Sequence, residues 1–180
     1  MSDAEAITFH EVTSDRWPDL ERLFAARGGP KACWCMVLRE TVATSAGKRA
    51  AMRDRVLAGT PVGILAYRGD DPIGWCSVAP TSTFGRLGKD AGAALPDPEG
   101  AWSITCFLVP RTERGHGLLA QLLDAAVDLA HQHGARAVEA YPVDPDSPSY
   151  RFGGFVQNFE RAGFEEAGRL GTRRHVMRRA

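Results

Sequence analysis

Apolar and polar side chains alternate from Ile7 to Val12, which predicts a first strand. Trp17, Leu20, Leu23 and Phe24 follow at helical spacing behind Ser14 or Asp15 as the capping residue, and Gly28-Gly29-Pro30 stops that helix. Ala32 to Leu38 is apolar and cysteine-rich and fits either a short strand or irregular chain, while Ala46 to Ala58 has the composition of a second helix ending at Gly59. Pro61 to Tyr67 and Pro72 to Val78 read as a hairpin around Arg68-Gly69-Asp70-Asp71. A loop rich in glycine, alanine and proline, Thr81 to Gly100, leads to Ala101 to Val109, whose β-branched and aromatic content predicts a central strand. From Leu118 the apolar residues Leu119, Leu122, Leu123, Ala126, Leu129 and Ala130 trace one helical face that Gly134 ends. Ala137 to Tyr141 is a short strand stopped by Pro142, Phe155 to Ala162 is helical, and Phe164 to Leu170 and Arg173 to Met177 are closing strands around Gly171.

Helices therefore interrupt a mixed sheet without alternating strictly, which disfavours a full Rossmann fold. The common phosphate loops are also missing: there is no G-x-x-x-x-G-K-S/T, and Ala120 stands where G-x-G-x-x-G needs its last glycine. The 180 residues suit one domain spanning 1–180, and 44% hydrophobic with 24% charged residues is the balance of a soluble globular chain. No apolar run approaches the roughly 20 residues of a membrane span, and the polar, acidic start "MSDAEAITFHEV" is unlike a secretory signal. A cytoplasmic protein with no membrane partner is expected. Lys plus Arg equals Asp plus Glu at 22 each, so no global field favours a nucleic acid. Arg173, Arg174, Arg178 and Arg179 are read as solvated positions on a closing strand and a frayed terminus. Cys33, Cys35, Cys76 and Cys106 are too few for a disulfide scaffold and lack zinc-site spacing, so they are read as buried or half-buried thiols and no metal is implied.

The stretch "FLVPRTERGHGLLAQLLDAA" carries the candidate chemistry. Gly115 and Gly117 enter a helix whose first amides have no partner within it and carry partial positive charge, a setting for an anion. The plainer alternative is that the two glycines only let this helix pack closely on the sheet.

The element order, the glycine turn after a strand, and "NFERAGF" some forty residues later resemble the GCN5-related N-acetyltransferases (GNAT) over nearly the whole chain. That family's signature, Q/R-x-x-G-x-G/A, is met here by Thr112 to Gly117, with both glycines present and Thr112 in the leading position. The resemblance implies an α/β (α+β mixed) GNAT fold, a mostly antiparallel sheet of about seven strands flanked by about four helices. It also implies acetyl-CoA (coenzyme A) as co-substrate, with no metal. The pantetheine would pair with the backbone of Phe107, Leu108 and Val109, and the pyrophosphate would lie on Arg114, Gly115, His116, Gly117 and Leu118, with Asn158 in the same cleft. His116 would be a spectator or an auxiliary phosphate donor.

The implied reaction moves an acetyl group to a primary amine of a small molecule or protein by direct attack on the thioester. Glu139 is the candidate base, with Tyr141 on the same strand face and Asp144 as a second carboxylate; an exposed, purely solvating Glu139 is the plain alternative. The family's usual acid is a tyrosine four residues before the Gly163-Phe164 pair, and here that residue is Phe159, with Tyr141 and Tyr150 the tyrosines nearby. The absence of that tyrosine, and of Gln or Arg at 112, keeps a second function open: a weak or inactive CoA-binding or sensing module of the same fold. The acceptor would lie on Gly28 to Glu40 and Pro80 to Gly88, with Trp34, Met36, Arg39 and Phe84 as candidate walls and Trp34 and Met36 equally candidates for the core, and the resemblance allows a homodimer.

Overall fold

The structure, a computed structural model, describes residues 6–89 and 99–180, so the middle of the loop expected between Thr81 and Gly100 lies outside the described residues. The elements are β1 (Ile7–Glu11), α1 (Trp17–Ala25), α2 (Ser45–Leu57), β2 (Ile64–Arg68), β3 (Asp71–Pro80), β4 (Ala101–Leu108), α3 (Leu118–Gln132), β5 (Ala137–Ala140), α4 (Val156–Arg161), β6 (Glu165–Leu170) and β7 (Arg174–Arg179). Each expected strand and helix is present with ends moved by a few residues. The cap of α1 differs: Ser14 and Asp15 lie inside a 3-10 turn, Ser14–Arg16, and α1 starts after it. Pro18 explains the shift, because a residue without an N–H fits only the first turn of a helix. Thr44 caps α2, its hydroxyl accepting from the Gly47 amide at 3.0 Å.

Ala32 to Leu38 forms successive turns rather than a strand. Trp34 and Cys35 both adopt left-handed backbone, with φ of 46° and 51°. What fixes this turn is the Trp34 ring, buried and stacked on Phe24 at 5.3 Å and on Trp17 at 6.2 Å.

The seven strands form one sheet in the order β1-β2-β3-β4-β5-β7-β6. Every neighbouring pair is antiparallel except β4 and β5. Alternation along the strands divides the core between the two faces. Ile64, Ala66, Cys76, Val78 and Ile104 pack with α3, while Leu65, Tyr67 and Trp75 pack with α1 and α2. Arg173 is exposed as expected, but the other three C-terminal arginines are not frayed and solvated: Arg174 is buried with its guanidinium 4.3 Å over the Tyr150 ring, Arg178 pairs with Glu139, and Arg179 donates to Ala162 O at 2.9 Å. The cause is β7, which runs through Arg179 and inserts beside β5 inside the sheet. Among the described residues no helix is long and apolar enough to cross a membrane.

Phe24 is fully buried between the Trp34 stack and the edge of Trp75, 5.0 Å away. Phe24→Ala should cost about 3 to 5 kcal/mol in urea unfolding, the range for truncating a packed core aromatic. A loss below about 1 kcal/mol would contradict this packing.

Candidate functional site

The site begins where two strands part. β4 and β5 pair from Ala101 with Ala137 to Ile104 with Ala140, and no further. Pro142 lacks an N–H to extend the ladder, and Val143 pairs instead with Phe155 and Arg174. β4 continues alone on that side through Thr105 to Leu108, still held on its other edge by β3, with Trp75 opposite Leu108. At the base of the fissure the backbone of Gly153 approaches so closely that a Cβ there would stand 3.1 Å from the Tyr141 carbonyl oxygen.

The fissure opens into a cleft of about 590 Å³ that runs to the start of α3. Of the residues expected there, Phe107, Val109, Arg114, Gly115, Gly117, Leu118 and Asn158 line it. His116 is exposed and outside the lining, and Leu108 points through the sheet to the other face. The glycines are not there for close packing: a Cβ on Gly115 or Gly117 would meet nothing within 4 Å. Their need is conformational, with φ of 82° and 78°, and Gly117 is the N-cap of α3 with no side chain satisfying the amides above it. Gly115, Gly117 and Leu118 line this end of the cleft beside Arg114, whose Nε donates to Val109 O at 3.0 Å, and Glu113 in the same lining is paired with Arg68 at 2.8 Å, so uncapped helix amides and a cation offer a setting for an anion. Arg151, Phe152, Gly154 and Phe155 also line the cleft and were passed over in the sequence. The signal that marks them is the Gly153-Gly154 doublet between aromatics just ahead of a helix.

A second cavity of about 230 Å³ lies on the opposite face and shares Phe107 and Phe152 with the cleft. Pro30, Cys33, Cys35, Val37 and Leu38 form one wall, and Trp75, Thr105, Cys106 and Leu108 the other. Trp34 and Met36 take the core alternative, and Arg39 and Phe84, expected to face an acceptor, are buried as well; none of the four lines either cavity. The turn at Trp34 and Cys35 turns the intervening residues outward.

Glu139 is fully buried, not solvent-facing. Its Oε1 accepts from Arg178 at 3.1 Å and its Oε2 from the Tyr141 hydroxyl at 3.2 Å. The row of hydrogen bonds continues from Tyr141 to Ser103 at 2.9 Å and from Ser103 to Thr81 at 2.8 Å. Burial pushes the Tyr141 phenol well above its ordinary range and the Glu139 carboxylate adds to this, so Tyr141 keeps its proton at neutral pH. Asp144 is drawn away to His175, 3.2 Å from its ring. Phe159 is fully buried, 5.3 Å from the Phe164 ring and 6.1 Å from Phe107, in a wholly apolar setting.

The architecture has relatives among solved structures. The aminoglycoside acetyltransferase AAC(6')-Ib in complex with coenzyme A superposes with a TM-score of 0.64 at 20% identity, over 97% of this chain and 95% of that one. The same enzyme with ribostamycin and coenzyme A gives 0.64 at 21% identity, over 97% and 93%. The ribosomal-protein-S5-alanine acetyltransferase of Vibrio fischeri gives 0.61 at 11% identity, over 96% and 92%. The yncA protein of Salmonella typhimurium, solved with its cofactor acetyl-CoA, gives 0.56 at 13% identity, over 97% and 93%. These likenesses establish the shared fold. No curated protein matches the sequence. The acetyltransferase (GNAT) family matches residues 11–154, which contain the parted strands and the glycine turn. On that match, and on the seven-stranded mixed sheet with its four flanking helices, the chain belongs to the GNAT family of acetyltransferases.

Proposed function

We propose that this chain is an acetyl-CoA-dependent N-acyltransferase that moves an acetyl group onto a primary amine. The observation that carries the reading is the unpaired edge of β4, Thr105 to Leu108, opening on a cleft that ends at the amides of the Gly115–Gly117 turn. A pantetheine arm has amides to pair with such an edge, and a pyrophosphate has the charge and oxygens for such a turn. Arg114 adds a cation in the same lining.

The acceptor is the part of the reading that depends most on this chain's own residues. Structural neighbours carry names that refer to a small aminoglycoside and to a ribosomal-protein alanine, so the fold serves both kinds of acceptor. Among the described residues no carboxylate lines the second cavity, so a polycation would find no counter-charge from them there. That supports an amine carried on an apolar group, of a small molecule or of a protein side chain or terminus.

An alkylammonium with a pKa near about 10 must lose a proton before it attacks at neutral pH. The base we assign is Glu139, hydrogen-bonded to the Tyr141 hydroxyl; both side chains are buried and line neither cavity, so the proton has to reach them along the Thr81–Ser103–Tyr141 row of hydroxyls. Phe159 has no proton to donate, and the CoA thiolate, whose thiol has a pKa of about 8.5, leaves without a dedicated acid.

Two measurements check this reading. Acetyl-CoA at about 100 times its dissociation constant should add roughly 2.7 kcal/mol to the folded state and raise the melting temperature. Gly117→Glu puts bulk and negative charge at the pyrophosphate and should remove the rise; an equal rise in both proteins would place the cofactor elsewhere. Tight binding without acetyl transfer across a broad amine panel would favour the sensing module. With a confirmed acceptor, Glu139→Gln should lower kcat/KM by about 10² to 10⁴ near neutral pH. The deficit should shrink as pH rises and free amine becomes abundant, while the acetyl-CoA melting shift stays as in wild type. A variant within about twofold of wild type across neutral pH would sink the assignment.

A further inference from the structure

Strand β4 bulges where the fissure opens. Ser77 stands opposite Cys106 and Val78 opposite Ile104, so Thr105 is an extra residue between two paired ones. Two successive side chains, Thr105 and Cys106, therefore reach the wall of the apolar cavity, which strict alternation would forbid. Thr105 does not line the cleft assigned to the cofactor. Among the described residues its hydroxyl is the one side-chain oxygen in the cavity wall.

The groups behind that hydroxyl set its direction. Arg39 is 2% exposed, and no carboxylate pairs with it among the described residues. Its Nη2 donates to Val62 O at 3.0 Å and to Ser77 Oγ at 2.8 Å, its guanidinium lies 4.5 Å from the centre of the Phe84 ring, and its Nε and Nη1 are buried without a hydrogen-bond partner. Ser77 Oγ is in turn 2.8 Å from Thr105 Oγ1. A guanidinium only donates, so Ser77 accepts from Arg39 and the positive charge turns the Ser77 proton toward Thr105. Thr105 accepts that proton's hydrogen bond and has its own left for the cavity. The Cys35 thiol in the same wall is a weak acceptor and does not satisfy it. The row thus ends in a hydroxyl donor backed by a buried cation.

We propose that Thr105 selects the acceptor: its hydroxyl, oriented by Arg39 through Ser77, donates to a carbonyl or carboxylate oxygen carried beside the amine. This rests on the acetyl-CoA reading above and narrows its acceptor to an α-amino acid with an apolar side chain, free or as the first residue of a peptide. The cavity, at about 230 Å³, is smaller than the roughly 300 to 1,000 Å³ of a drug-sized site, so the amine and the oxygen belong to one small group. Pro30, Val37, Leu38 and Leu108 offer that group an apolar wall. A plain alkylamine would leave the hydroxyl unpaired when it displaced water, whereas an oxygen with partial or full negative charge would answer both the proton and the charge behind it. The thioester is brought by the cleft, which Thr105 does not line, so the oxygen that Thr105 meets is the acceptor's.

Three amines that share one ring test this: L-phenylalaninamide, L-phenylalanine and 2-phenylethylamine, each assayed by CoA release and product mass. Wild type should acetylate at least one of the first two with kcat/KM roughly 10- to 100-fold above 2-phenylethylamine, the discrimination of one well-placed hydrogen bond. Either order of the first two supports the proposal, the amide ahead marking a peptide terminus and the acid ahead a free amino acid. Thr105→Val removes the donor at similar volume and should bring the ratio close to one, mainly through KM; Thr105→Ser should keep it, and Ser77→Ala, which cuts the row off from Arg39, should lower it. The proposal is overturned if wild type shows the melting shift with acetyl-CoA but prefers neither carbonyl-bearing amine to 2-phenylethylamine, a result that needs no variant to fold. It is overturned equally if Thr105→Val or Ser77→Ala keeps the wild-type ratio, if Thr105→Ser loses it, or if Thr105→Val lowers kcat for all three alike with the ratio intact, which would put the hydroxyl on the thioester oxygen. Absence of the melting shift in wild type overturns the acetyl-CoA reading itself, and this proposal with it.

Discussion

The structure turns on the loss of pairing between β4 and β5 after Ile104 and Ala140. Up to that point β4 is an interior strand with both edges satisfied. Beyond it, β3 holds one edge and the other is a row of backbone groups in search of a partner. Pro142 makes the separation stable, because a strand residue without an N–H cannot be zipped back onto its neighbour, and the pairing of Val143 with Phe155 and Arg174 gives the departing chain another place to go. An open edge inside a sheet is a recognition surface for an extended, amide-bearing ligand. The same strand then runs by way of Pro110 into a turn whose amides face the same cleft.

Alternation along β4 gives the two sides of the sheet different chemistry. Phe107 and Val109 join the α3 side and the cleft, whereas Cys106 and Leu108 join the α1 and α2 side and the apolar cavity. A residue-by-residue change of face is the consequence of a period of two. One short strand thereby forms the floor of the cleft and the back wall of the apolar cavity, the places we assign to the cofactor and to the acceptor. The left-handed turn at Trp34 and Cys35 closes that cavity from the far side, and the Phe24 and Trp17 rings under Trp34 keep it closed.

Much of this was legible in the sequence because it depends on local signals. The period of hydrophobic residues gave the strands and helices, and Gly115 and Gly117 declared a turn that needs positive φ next to a helix start. What could not be read depends on contacts distant in the chain. Glu139 sits in a strand with the composition of a half-exposed edge, yet β7 covers it and Arg178 neutralises it. Trp34 and Met36 suit an acceptor wall or a core equally well in the sequence, and an aromatic stack formed with α1 decides it, drawing Trp34 inward and leaving Cys33 and Cys35 in the wall. Cys35 and Cys106, 71 positions apart, come to line one cavity only through the fold. No periodicity links them.

The account stands or falls on where the cofactor lies, and hydrogen exchange read by mass spectrometry with and without acetyl-CoA tests it most directly. Pantetheine pairing with the open edge of β4 and a pyrophosphate on the α3 amides predict slowed exchange in two segments, Thr105–Val109 and Gly115–Leu119, with α2 unchanged. Saturating acetyl-CoA that slows exchange elsewhere and leaves both segments as they were would contradict it.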